Sequence, residues 1–398
     1  MKSDIPFLLK IGTALQVLGM DAQRLESALG FLAVKLNIKA DFFSMPTSLM
    51  VAISHGEQQE HFFKRTEPGE IHLEKLTLIN AIGNQVCEGK LSTAAALKEI
   101  EDLDTMPERY SLRVANLFFG FAASCICIFI GGNWHSAVAA FLLGLLVGVF
   151  TLNKNKFHMA QIADAIAVFV VSFLAYLLAA VFPNVDPAKI ILASVLMIIP
   201  GVTMTIAVTE LAAQHLVAGT SRLMLAIMTF FKIAFGVALA LKIFSLFSFP
   251  IGVTDFAGYP SLIHYLGLFC ASLTLSVLFR AEPRDTLWIS VSCLSGYASS
   301  HFGQNLLGPY LGLMLGGCTV AVGSNLFSKV FNRPILITLL PGILVLVPGA
   351  IGFQSLNMMY QNNLLLGIDA AFKTIAMVVS LVAGIFIGNL ILRTEQHF

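Results

Sequence analysis

Charge is the scarcest property of this sequence. Asp, Glu, Lys and Arg make up 12% of its 398 residues, against roughly 25% in a soluble globular protein. The formal net charge of +1 offers no basic surface to follow a phosphate backbone, which excludes nucleic acid as a partner. The six cysteines form no CxxC pair, and five lie in apolar runs. They read as small reduced core residues, not as a disulfide or metal framework. No GxxxxGK[ST] loop is present to cradle ATP, and no HExxH or GxSxG marks a hydrolase. These absences exclude a soluble enzyme, a disordered chain and ATP-driven transport, and no cofactor is expected.

Apolar residues fill the space: 57% are hydrophobic and the mean hydropathy is +0.82. The charges are unevenly spread, with 27 of the 47 in residues 1–113. The first part suits water and the rest does not, with the boundary at Glu99–Arg113. Lys10 cuts the first apolar run and Asp21, Arg24 and Glu26 follow, so the N-terminus does not read as a signal peptide.

A spanning helix needs about 20 mostly apolar residues. Ten such stretches are expected at 112–131, 134–152, 162–183, 188–209, 221–247, 260–280, 286–301, 304–327, 334–356 and 367–391. Loops assigned to one side carry Arg109, Arg113, Lys154, Lys156, Arg222, Arg280, Arg284, Lys329, Arg333 and Arg393. Those on the other side carry Lys189 alone. This asymmetry places both termini and the N-terminal domain in the cytoplasm of a multi-pass protein of the cytoplasmic membrane.

The chain also resembles itself at a shift of 148. Pro200-Gly201 falls on Pro348-Gly349, Gly148 on Gly296, and Ala123-Ser124 on Ala271-Ser272. A real repeat would hold five spans, and an odd unit inverts on its second pass, the plan of many secondary transporters. The expected fold is therefore a polytopic α-helical membrane protein. It has a cytoplasmic α+β domain (1–110) and two inverted five-helix repeats (111–250 and 258–393). Coincidence among apolar residues is the alternative.

The Pro-Gly pairs suggest where the chemistry lies. Proline removes a backbone donor, and glycine beside it lets the chain unwind. A broken helix in a membrane is tolerated where it is buried in protein or lines a cavity. The half-helix that follows aims free N–H groups and a positive dipole end at the occupant. Thr203 and Thr205 add hydroxyls, and Gln354 and Asn357 add amides after the second pair. A packing kink is the alternative. Lys232 stands amid an apolar stretch, where an ammonium costs about 2.5–3.5 kcal/mol even on lenient scales. It is a candidate for a substrate carboxylate or an internal acid. Asp164 and Glu210 are candidate proton-coupling carboxylates, with capping or pairing as the alternative for each. Asp369 and Lys373 are spaced for an ion pair.

In the N-terminal part, residues 4–20 and 21–37 show helical periodicity. Asp41–Ser54 and His61–Arg65 read as strands, and two further helices follow, the second capped by Ser92. His55, His61 and His72 with Glu57, Glu60 and Glu74 read as a solvated polar edge.

Across its whole length the sequence resembles the threonine/serine exporter family. The resemblance rests on LGMDAQRLESALGFLA, SMPTSLMVAIS, RTEPGEIHLEKL and VCEGKLSTAAALKEI before the membrane part. Within it, GGNWHSAVAAF, IIPGVTMTIAVTELAAQHLVAGTSRLMLA, AEPRDTLWISVSCLSG and LVPGAIGFQSL carry it. Its most specific elements are Pro200, Gly201, Glu210, Gly219 and Arg222. Family members often carry Asn where Ile206 stands and Gly-Asp where Gln214-His215 stand. The resemblance implies a proton-coupled secondary exporter of a small amino acid, with lipid and protons as its other partners. Pro200, Gly201, Thr203, Thr205, Lys232, Pro348, Gly349, Gln354 and Asn357 are the expected substrate contacts. Export of a C4-dicarboxylate, using Lys232 and Lys373, is the alternative within the fold. A membrane-anchored enzyme or sensor is the alternative outside it. Homo-oligomerisation is left open.

Overall fold

The computed structural model describes residues 4–55, 58–67, 69, 71–153, 162–247, 260–360 and 364–392. The charges at Lys154, Lys156 and Arg393 lie outside them, as do Glu57 and the side chains of His55 and Asn357.

The N-terminal unit begins with helices α1 (Asp4–Val17) and α2 (Ala22–Lys35). Asp21 caps α2 by accepting from the Arg24 N–H, which satisfies one of the free donors at a helix start. Strands β1 (Lys39–Met45), β2 (Ser48–His55) and β3 (Gln58–Arg65) form an antiparallel meander. The single strand expected over Asp41–Ser54 is therefore two. Pro46 and Thr47 make the turn between them, with Met45 opposite Ser48, because proline fixes a turn dihedral and has no N–H for a ladder. Helices α3 (Leu73–Cys87) and α4 (Thr93–Thr105) close the unit, α4 capped by Ser92 as expected. Leu8, Ile11, Leu25, Leu29, Leu49, Ile53 and Leu76 are fully buried where helices and sheet meet.

The apolar part follows as α5 (Leu112–Phe129), α6 (Trp134–Leu152) and α7 (Ala163–Val181). Next come α8 (Pro187–Val195), α9 (Gly201–Ala212) and α10 (Leu216–Ser245). Then α11 (Ser261–Leu278), α12 (Thr286–Leu307) and α13 (Pro309–Phe331) follow. Last are α14 (Leu336–Leu346), α15 (Gly349–Tyr360) and α16 (Leu364–Ile391). Among the described residues, seven helical stretches are long and apolar enough to cross a membrane, one running from α14 into α15. Gly201–Ala212 and Leu262–Leu278 are apolar but shorter. The chain is thus a mostly helical, multi-pass membrane protein.

Two local expectations change. Arg222 is not in a loop: α10 starts at Leu216 and takes it into its second turn. Lys189 lies in the first turn of α8, where its ammonium meets the Asp186 carboxylate at 3.3 Å and donates to the Gly131 carbonyl at 3.0 Å.

Helix bounds recur along the chain. Gly201–Ala212 moved by 148 residues is Gly349–Tyr360, and the start of α10 at Leu216 moves onto the start of α16 at Leu364.

Candidate functional site

Two helix breaks organise the interior. Helix α8 ends at Val195, and the chain turns through Ile199, whose carbonyl accepts from the Gly201 N–H at 2.8 Å. Pro200 occupies the cap position of α9 with no side-chain hydrogen bond. In the second break, α14 ends at Leu346 and Val347 is extended (φ −64°, ψ 129°). The ring of Pro348 disfavours a helical residue before it, which accounts for that conformation. Helix α15 then restarts at Gly349.

The breaks touch each other. A Cβ on Gly201 would sit 2.5 Å from Val347 Cγ1, and one on Gly349 would sit 2.9 Å from Ile199 Cγ2. Ile199 moved by 148 residues is Val347, so the contact is reciprocal, as across a two-fold axis. Only glycine fits at either place. The positive N-terminal ends of α9 and α15 are thereby brought close, each worth about half an elementary charge. The carbonyl ends of α8 and α14 lie beside them.

The other expected residues divide. Thr205 is buried, and its hydroxyl donates to the Gly201 carbonyl at 3.1 Å, inside its own helix. Thr203, two residues into α9, is half-buried. Gln354 is exposed on α15 between buried Phe353 and Ser355. Asp369 and Lys373 form the spaced pair, at 2.6 Å, on an exposed face of α16.

Lys232 is half-buried and has no hydrogen-bond or ion-pair partner among the described residues. Its direction follows from its neighbours. The Phe230 ring packs on Gly352 of α15, and two residues later a helical side chain leaves about 200° around the axis. Gly236, one turn beyond Lys232 on the same face, packs against Ala165 and Phe169 of α7. Phe244 packs against Phe173 and Tyr176, so α7 and α10 run parallel. Lys232 therefore points towards the first turn of α7, which holds half-buried Asp164, and away from α15.

Glu210 is fully buried at the other end of α9. One of its oxygens accepts from the Arg222 guanidinium at 3.0 Å and from the Ala22 N–H, the first of α2, at 2.9 Å. The second oxygen is buried and has no hydrogen-bond partner among the described residues. Arg222 also donates to the Met20 carbonyl. This carboxylate ties α9 and α10 to the N-terminal unit by binding a helix N-terminus as an anion does. Beside it, Glu26 accepts from the Ser44 N–H and faces His215 at 3.5 Å. Burial pushes the Glu26 carboxyl above the ordinary glutamate range, against the pull of that hydrogen bond and of His215. A second contact joins the first turn of α3 to the end of α11, with Leu73 and Glu74 N–H donating to the Phe279 and Arg280 carbonyls. Glu74, buried there, accepts from Arg109 at 2.9 Å. Sequence reading missed this docking because its partners stand far apart along the chain, 188 residues for Ala22 and Glu210 and 202 for Met20 and Arg222.

Comparison with known proteins decides the family. The model described as a threonine/serine exporter, ThrE, matches residues 6–244, and a second model of that name matches residues 264–391. The chain belongs to the threonine/serine exporter family. The curated relatives are longer: a pheromone-regulated membrane protein 10 of Eremothecium gossypii is 25% identical over 391 residues, 93% of this chain and 52% of its own length. Another of that name, from Pichia sorbitophila, is 26% identical over 92% of this chain and 37% of its own. An uncharacterized protein of Schizosaccharomyces pombe is 24% identical over 92% and 45%. The chain thus spans about half, or less, of these curated relatives. No solved structure matches it significantly.

The turn after α9 holds one unusual backbone residue. Gln214 has φ +67°, the left-handed conformation that glycine adopts without strain. The His215 N–H then returns to the Glu210 carbonyl at 2.9 Å.

Proposed function

We propose that this chain carries threonine or serine outwards across the cytoplasmic membrane, coupled to protons. In this reading ten spans form two inverted five-span repeats: α8 with α9, and α14 with α15, each count as one broken span. Residues 1–110 and both termini face the cytoplasm. The observation that carries the proposal is the reciprocal contact of Gly201 with Val347 and Gly349 with Ile199. Broken helices of opposed direction meeting inside the bundle are how such transporters build a site.

The ends that meet favour a zwitterion. The N–H groups of α9 and α15 suit the carboxylate, and the carbonyl ends of α8 and α14 suit the ammonium. Thr203 is the hydroxyl closest along α9 to the break. A dicarboxylate needs two cationic contacts instead. Lys373 is engaged by Asp369 and Lys232 faces α7, so the amino acid is the better fit.

For coupling, Asp164 is the stronger carboxylate. It is half-buried, has no partner among the described residues, and lies where Lys232 points. Glu210 is committed to Arg222 and Ala22 and serves in this reading to hold α9 against the N-terminal unit.

Uptake of labelled threonine, serine and succinate into everted vesicles tests the proposal. It expects accumulation of threonine or serine that collapses when the proton gradient is discharged. Accumulation of succinate alone would replace the substrate, and gradient-independent uptake would remove the coupling.

A further inference from the structure

Among the described residues nothing pairs with the outer side of strand β3, which is an open edge. The sheet order is β1-β2-β3. The β1 side is occupied: Glu26 accepts from Ser44 there, and α2 packs alongside. The eight residues of β3, QQEHFFKR, contain no proline or glycine, and all but Phe62 are exposed. Natural sheets usually blunt such an edge with a bulge, a proline or charged side chains. Here the charges are Glu60, Lys64 and Arg65, and Glu60 and Lys64 stand evenly about Phe62. The sheet face nearby is apolar as well: Phe43, Met50 and Phe63 stand opposite one another and are 45%, 43% and 61% exposed.

The register fixes which groups the edge offers. A two-residue antiparallel hairpin closes on a hydrogen-bonded pair, and such pairs alternate along the ladder. Met45 with Ser48 closes the first hairpin, so Leu49, Val51 and Ile53 of β2 turn their backbone groups towards β3. Their partners Lys64, Phe62 and Glu60 are used inwards. Gln59, His61, Phe63 and Arg65 therefore present N–H and C=O groups to the open side.

We propose that β3 pairs antiparallel with β3 of a second copy of this chain, about a two-fold axis at Phe62, joining the two meanders into one six-stranded sheet. In this register His61 meets the second copy's Phe63 and Gln59 its Arg65, as hydrogen-bonded pairs. Glu60 meets the second copy's Lys64, and Phe62 its own counterpart, as the close-set pairs whose side chains touch. Both ion pairs form at once because the strand complements itself. Moving the axis to His61 sets Glu60 against Phe62, and moving it to Phe63 sets His61 against Arg65. Charge therefore selects the Phe62 register.

The experiment uses the full chain in nanodiscs. Phe62→Cys should cross-link to a covalent dimer at least fivefold more efficiently than Glu60→Cys, because only position 62 lies on the axis. By light scattering the wild type should be a dimer. Glu60→Lys should weaken dimerisation at least tenfold, and Glu60→Lys with Lys64→Glu should restore it. The charge exchange reads the same interface without altering Phe62, which also packs against the core. A monomeric wild type overturns the proposal. So does a dimer indifferent to Glu60→Lys, or cross-linking no better at 62 than at 60.

Discussion

Gly201 lies against Val347, so close that a single added methyl would come within 2.5 Å of the valine Cγ1. Valine is stiff at χ1 and cannot swing away cheaply. Gly201→Ala should cut export at least tenfold, about 1.4 kcal/mol, while the protein still reaches the membrane. Val347→Ala should recover a large part of that loss, whereas Ile199→Ala should not. Export rates of the single and double variants measure the coupling, and purely additive effects would mean that the two breaks do not act together.

Glu210 and Arg222 form a buried pair on which the N-terminal unit also hangs. Glu210→Gln leaves the guanidinium facing a neutral amide, and breaking such a pair costs about 3 kcal/mol or more. Thermal unfolding in detergent should show a clearly lower Tm. Glu210→Gln combined with Arg222→Met should be less destabilised than Glu210→Gln alone. An unchanged Tm would mean that the clamp contributes little.

The turn after α9 gives a gain instead of a loss. Gln214 holds φ +67°, which costs a non-glycine residue about 1–2 kcal/mol. Gln214→Gly should raise Tm without altering export, provided the N-terminal unit stays docked. A lower Tm would show that the glutamine side chain supplies more than the strain removes.

His72 gives the N-terminal unit a pH dependence. It is buried, and burial lowers its pKa below the ordinary 6.5, against the opposing pull of Glu108. The folded protein therefore prefers neutral His72. That stability is complete above pH 6.5, where the unfolded chain is also neutral, and is lost as pH falls through the depressed folded value. The Tm should fall between pH 7 and pH 5. Asn at this position keeps an acceptor for the Lys75 N–H, which His72 Nδ1 now receives, and cannot titrate. His72→Asn should flatten the fall, and an equal slope would assign it to other groups.

Much of the apolar architecture is legible in the sequence because membrane helices declare themselves by length and composition. The Pro-Gly pairs are legible because proline and glycine act on their own backbone. What lies outside local chemistry is lost. The single strand read across Asp41–Ser54 is a hairpin because Pro46 ends a ladder that the apolar pattern does not interrupt. Gln354 reads as a site residue from its distance along the chain to Pro348, but its exposure between buried Phe353 and Ser355 depends on the packing of α15, which that distance does not give. Lys232 carries the worst membrane energetics, yet its direction is set by Phe230 and Gly236 through packing on two different helices. Glu210 reads as a candidate titrating acid, and that Ala22, 188 residues away, donates to it is beyond local chemistry.

In the proposed site the two breaks together hold one zwitterion. Counterflow of labelled threonine in proteoliposomes tests it, with unlabelled threonine, threonine methyl ester, 3-hydroxybutyrate and succinate as competitors. The claim predicts that only the molecule bearing both carboxylate and ammonium competes, and that Gly349→Val, which fills the space against Ile199, abolishes counterflow without loss of fold. Effective competition by succinate, or wild-type counterflow in Gly349→Val, would contradict it.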